Sequence, residues 1–315
     1  MEVSTMNKKV IMIFSVIALF IIAGCQGNDS DVSSKSGKAF IGGTDSLEFD
    51  FLEGAPPAEV YDNGEFPFEI SLIVENKGEY DVLKEDVKIK LLGFYPPDFN
   101  NPTIGKNPDD ELDAAYVDSE GNIIPGTVTY VTFEGFNFIN SLSANNPYTI
   151  RADVCYKYGT YAQADLCVLE DLTEPDDKVC EPNEQKNVES SSAPIKIENL
   201  EESIAGSDKI TFSFEIQHRG TGAISKLGSG CDDEVLNENK VWVSVDTGLS
   251  GTDCSGLNDG DATSGYTTLY GGKRLIRCTQ PKPDDTGDFV KKVNIELKYD
   301  YKEHKQMEVL VKHTT

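Results

Sequence analysis

The groups able to do chemistry in this 315-residue sequence are seven cysteines, three histidines and 54 acidic side chains. Six cysteines lie in the body of the chain: Cys155, Cys167, Cys180, Cys231, Cys254 and Cys278. An even number suits disulfides in an oxidising compartment, although spacing alone does not choose among the possible pairings. Cys155 and Cys167 flank an expected turn near Thr160-Tyr161, which predicts a cross-strand bridge between them. If the remaining four all pair, Cys180 must then bond into the second half of the chain. No pair has Cys-x-x-Cys spacing, and His218, His304 and His313 are remote in sequence from the cysteines, so zinc fits poorly. Hard oxygen ligands on loops can hold calcium. The candidates are Asp109, Asp110 and Asp113, beside Glu111, and Asp259 and Asp261, beside Asp253; neither group has EF-hand spacing. No other cofactor is expected. Gly-x-Ser-x-Gly, phosphate-cradling and His-Glu-x-x-His motifs are absent from the sequence, so the expectation is a protein that is not an enzyme.

The elements that must position these groups are strands. Residues 68–82 and 210–224 carry the same alternation at an offset of 142: Phe68, Ile70, Leu72 and Val74 fall on Ile210, Phe212, Phe214 and Ile216. Gly78 falls on Gly220, where a turn is expected. At an offset of 143, Tyr156 and Tyr158 fall on Tyr299 and Tyr301, Ile150 on Val293, and Leu166 on Val309. Alternation of this kind puts one face of a strand in a core. Val87, Ile89 and Leu91 in one half and Val241, Val243 and Val245 in the other predict further strands, with Trp242 read as a core residue. Gly, Pro, Asn and Asp clusters punctuate these runs. The pattern is that of a duplicated all-β module of about 120–130 residues, an ordinary size for a sandwich. The long loops 93–126 and 248–272, with Phe94, Tyr95, Phe99, Tyr266 and Tyr270, are the expected contact regions.

The formal net charge is −26, from 54 acidic and 28 basic residues. That excludes an electrostatic grip on nucleic acid and disfavours a polybasic membrane binder. Hydrophobic residues at 38% and aromatics at 9% suffice for ordered cores.

At the N-terminus, Lys8-Lys9 precede an apolar run from Val10 to Ala23, a secretory signal pattern too short for a comfortable membrane span. Ile22-Ala23-Gly24-Cys25 resembles the lipobox of prokaryotic lipoproteins. The resemblance implies lipidation of Cys25, which becomes the mature N-terminus and anchors the chain to the extracytoplasmic face of the cell membrane. Removal of residues 1–24 takes away Glu2, Lys8 and Lys9, leaving 53 acidic against 26 basic residues, a charge of −27. Residues 25–44 have the composition of a flexible tether.

The text Val74-Glu75-Asn76-Lys77-Gly78-Glu79-Tyr80-Asp81-Val82 resembles immunoglobulin-like modules of the CARDB type on archaeal and bacterial surface proteins. Gly42-Gly43-Thr44 through Pro57, with Cys155-Tyr156-Lys157-Tyr158, is similar to uncharacterised archaeal secreted proteins. The resemblance implies a fold and a location, and no established activity. The expected organisation is a signal peptide (1–24), a tether (25–44), an immunoglobulin-like β-sandwich (45–170), an acidic linker (171–193) and a second sandwich (194–315). The expected role is adhesion, envelope structure or binding of a surface protein partner. The alternative is a surface-displayed carbohydrate- or calcium-binding module, with loop aromatics stacking on a glycan.

Overall fold

The computed structural model describes residues 38–173, 179–284 and 287–314. Cys25, the signal peptide and the tether up to residue 37 lie outside the described residues. In the first half, β1 (Leu47–Phe51), β2 (Glu59–Tyr61), β3 (Phe68–Asn76) and β4 (Val87–Leu92) precede the short β5 (Gly105–Lys106), β6 (Tyr116–Val117) and β7 (Ile123–Ile124). β8 (Val128–Phe136) and the 23-residue β9 (Asn146–Val168) complete it. β10 (Gln185–Lys186) and β11 (Val188–Ser190) lead into β12 (Ile195–Ile204), β13 (Lys209–His218), β14 (Ala223–Ser225) and β15 (Lys240–Asp246). β16 (Asp253–Ser255), β17 (Ser264–Thr268), β18 (Lys273–Pro281) and the 24-residue β19 (Phe289–Lys312) close the chain.

The protein is an all-β sandwich. One layer is a single nine-stranded sheet whose central path runs β17-β15-β19-β9-β4-β5. Against it lie two small sheets, β1-β3-β8 from the first half and β10-β12-β13-β18-β16 from the second. The alternating residues supply the interior: Ile70, Leu72 and Val74 on β3, Phe212, Phe214 and Ile216 on β13, and Val241, Val243 and Val245 on β15 are all buried. Burial of apolar area at about 25 cal/mol per Å² is what holds these faces together.

The duplication is present, with a difference from the sequence expectation. β9 does not turn at Thr160-Tyr161; it runs straight through and pairs antiparallel with β19 over its whole length. Residues 38–315 therefore group as one compact unit, joined by a ladder between the two copies. Lys157 pairs with Asp300, and the repeat offset of 143 also maps Lys157 onto Asp300. A local two-fold axis thus passes between them, and equivalent strands meet as in an isologous dimer interface. Tyr156 lies opposite Tyr301, and Tyr158 opposite Tyr299.

The straight strand also overturns the expected Cys155–Cys167 bridge, because 12 residues of extended chain separate those positions by roughly 40 Å. The disulfides are Cys155–Cys231, Cys167–Cys180 and Cys254–Cys278. Cys180 consequently bonds back to the first half instead of into the second. Residues read as linker are built into the fold: β10 pairs with β12, β11 pairs with β9, and Ser191, Ser192 and Ala193 are buried. The end of the expected tether is likewise tied down, since Ile41 and Gly42 donate their backbone N–H groups to the Glu79 carboxylate at 2.8 and 2.9 Å.

Candidate functional site

The centre of the molecule is built from the repeated tyrosines and glycines. Tyr156, Tyr158, Tyr299 and Tyr301 are fully buried. Ser46 Oγ lies 2.8 Å from the Tyr156 hydroxyl, which donates to Glu303 at 3.0 Å. Tyr301 accepts the Gly222 N–H at 2.7 Å and lies 3.1 Å from His218 Nε2. Burial holds all four phenols well above their ordinary pKa, and burial lowers that of His218. The repeated glycine sits beneath the second tyrosine of each pair. A Cβ on Gly78 would come 1.9 Å from the Tyr158 hydroxyl, and one on Gly220 2.2 Å from that of Tyr301. The glycines are thus required by close approach rather than by the turn the sequence suggested.

On the flank of this centre, a groove of about 1100 Å³ opens between β1, the β13–β14 turn and the middle of β19. Its rim gathers Lys77, Arg151, Lys302 and Lys305, a concentration of cations in a strongly acidic chain, with His304 among them. Acids face most of them: Arg151 Nε lies 2.6 Å from Asp153, Lys302 2.8 Å from Asp233, Lys305 3.9 Å from Asp50, and Lys77 pairs with Glu48. Paired charges of both signs along an open groove suit a polar ligand that carries both donors and acceptors.

A second cavity of about 190 Å³ adjoins it, sharing Ala223, Asp233 and Lys302. Here the segment 226–239 is pinned at both levels. Cys231 is bonded to Cys155, and the buried Asp300 carboxylate accepts the Gly228 and Gly230 N–H groups at 2.8 and 2.6 Å. Val235 and Leu236 project from this pinned segment, 80% and 78% exposed. Cys155, Cys231 and Asp300 bring ligand-type atoms within 4.8 Å of one another, but the two sulfurs are bonded to each other. Zinc ligation needs free thiolates, so this cluster is a disulfide with a capping carboxylate.

The calcium candidates take up local duties. Asp110 accepts the Thr129 hydroxyl at 3.0 Å, and the Asp113 carbonyl accepts the Thr127 N–H. Asp261 caps a turn by accepting the Thr263 and Ser264 N–H groups at 2.9 and 2.7 Å, and Asp259 stands in the left-handed region. Among the described residues, neither group brings three ligand atoms together. Among the loop aromatics, Phe99 is buried, Phe94 packs on Phe99 and Phe136, and Tyr266 packs edge-on to Trp242. Tyr95 and Tyr270 stay exposed. Trp242 is half-buried on the face opposite Val241 and Val243, which corrects its reading as a core residue.

The groove was not anticipated from the sequence. Its one linear signal is the run Lys302-Glu303-His304-Lys305, the polar continuation of an apolar strand. Compared with known proteins, the chain matches no family model and no curated protein.

Proposed function

We propose that the chain is an exported, lipid-anchored protein of the cell surface that binds a partner through its sandwich body and catalyses no reaction. The observation that carries this is the pairing of all six cysteines after Cys25 into three disulfides. Such pairing belongs to an oxidising compartment and leaves Cys25, behind its apolar run, as the one cysteine free for a lipid. The four central phenols are buried, and His218 is held against Tyr301, so these groups serve packing in this reading. The groove along β19 is the contact surface in this reading. Replacing Cys25 with Ser is expected to release the protein from the membrane fraction, and retention with unchanged mass would refute the anchor. Charge reversal at Lys302 and Lys305 is expected to weaken binding to the producing cell's surface; unchanged binding would place the contact elsewhere. A second reading, sugar binding, is favoured by the exposure of Tyr95 and Tyr270, 65% and 68%. A glycan array on the Tyr95→Ala and Tyr270→Ala variants, with a calcium titration, tests it.

A further inference from the structure

The two equivalent strands at the centre differ in what covers their outer edges. Along β9, β4 pairs with Arg151–Tyr156 and β11 with Ala162–Ala164. Along β19, β15 pairs with Asn294–Lys298 and β14 with Asp300–Lys302, and the next partner is β2 at Leu310–Lys312. The repeat offset places Ala162–Ala164 on Lys305–Met307. The strand position that β11 fills in one copy is therefore open in the other, among the described residues. Leu310 donates its N–H outward to Ala58, and the Lys312 carbonyl accepts outward from Asp62. By strand alternation, His304, Gln306 and Glu308 also turn their N–H and C=O groups to this edge, and all three residues are exposed.

The filled position shows what the open one accepts. β11 runs antiparallel to β9 with Glu189 opposite Gln163, and Gln163 Nε2 donates to the Glu189 carboxylate at 2.8 Å. Gln306 stands where Gln163 would, and Lys305 replaces Ala162, adding a cation beside it. The other charges here are Asp50, 3.9 Å from Lys305, Glu303, which accepts from Tyr156, and the exposed Glu308.

The chain's own equivalent of β11 is committed elsewhere. Leu47 pairs with Asn76 as Ile195 pairs with His218, so Val188–Ser190 correspond to residues 40–42. Those residues are held by Glu79. A second copy's β19 is excluded as well. The opening between β14 and β2 is about 20 Å long, and a strand continuing through both ends would strike them. Only a short extended end or loop fits.

We propose that the edge of β19 from Glu303 to Val309 receives an extended acidic segment of a partner polypeptide, antiparallel, with a carboxylate opposite Gln306 and Lys305. Main-chain hydrogen bonds would supply affinity and the side-chain pair specificity. This deepens the binding reading and rests on it for a partner, whereas the Cys25→Ser test of location is independent of the edge.

The test uses the full chain and a blocked, fluorescent peptide copying residues 187–191, Asn-Val-Glu-Ser-Ser. Saturable binding is expected at about 1 mM or tighter by anisotropy, as befits a short flexible ligand. Gln306→Pro removes an outward N–H without touching the ladder to β9, and is expected to weaken binding about tenfold. Lys305→Glu, on an exposed side chain, keeps the test valid if the proline variant does not fold. It is expected to weaken the peptide about threefold and to favour a version with lysine in place of glutamate. In the unliganded chain, the amides of His304, Gln306 and Glu308 should exchange rapidly. No saturable binding, affinity indifferent to both substitutions, or slow exchange of those amides without peptide would each overturn the proposal.

Discussion

The two copies of the module share their central strands and differ at their margins. In the first, β8 is the last strand of its small sheet, and its partner position across Ile70 holds Phe133. In the second, the same position across Phe212 holds Cys278, and an added edge strand, β16, is bonded to it through Cys254. The first copy fills its end with Phe68, Phe94, Phe99, Phe136 and Phe138 in mutual edge-on contact. One core is thus closed by aromatic volume and the other by a covalent staple. The difference teaches that the alternating pattern and the glycine–tyrosine contact specify the module, while the means of sealing its end can vary.

Breaking each seal tests that comparison. Phe133→Ala is expected to destabilise the protein by about 4 kcal/mol, because the residue is wholly buried and its cavity cannot collapse between paired strands. The double change Cys254→Ser and Cys278→Ser should cost about 3 kcal/mol. Thermal or denaturant melts of the two variants would rank the seals, and a cost near zero for either would remove it from this account. Gly78→Ala should cost about 2 kcal/mol through overpacking. Tyr158→Phe should restore only part of this, because the new methyl would still meet the Asp45 carbonyl at 2.5 Å. Gly220→Ala is expected to behave alike if the halves are equivalent here.

A finer contrast lies between two buried carboxylates. Asp62 in the first half accepts from Leu142 N at 2.9 Å, from the Thr314 N–H and hydroxyl, and lies 2.9 Å from His313 Nδ1. These partners, led by the Thr314 hydroxyl, hold its pKa far below the ordinary range. Glu202 in the second half accepts the Cys167 N–H and lies 3.2 Å from Lys186. Burial outweighs these partners and raises its pKa to about 7. Glu202 binds its proton more tightly folded than unfolded. Its contribution is therefore present below about pH 4.5 and lost as pH rises through 7, on the order of 3 kcal/mol. Asp62 works in the opposite sense, stabilising at neutral pH and losing that contribution in acid. Melts of Glu202→Gln from pH 4 to 8 should show the first loss flattened; an unchanged profile would deny Glu202 this role.

Strand positions were legible in the sequence wherever one face is buried, as at β3, β13, β4 and β15, because alternation reports which residues face a core. It does not report which strand lies alongside. The pairing of β9 with β19 was therefore hidden, and with it the true disulfides, since Cys155 and Cys167 read as hairpin neighbours are far apart on one strand. Trp242 misled for a related reason: a large apolar residue between valines faces the other side of its strand. Of the groove, the sequence showed only Lys302–Lys305, because a groove is made by distant segments, here β1 and the β13–β14 turn. The correspondence of Gln163 with Gln306 was readable at the repeat offset, but nothing linear shows that one edge is covered and the other bare.

The two-fold ladder between β9 and β19 also governs timing. Two modules on separate chains would meet at a rate set by their concentration; joined in one chain, they meet in a first-order step. That step depends on contacts between residues far apart in sequence, the kind that slow folding. In chain order β9 comes well before β19, so its hydrogen-bonding edge stays unpaired until that strand is available. The ladder closes only when β19 arrives.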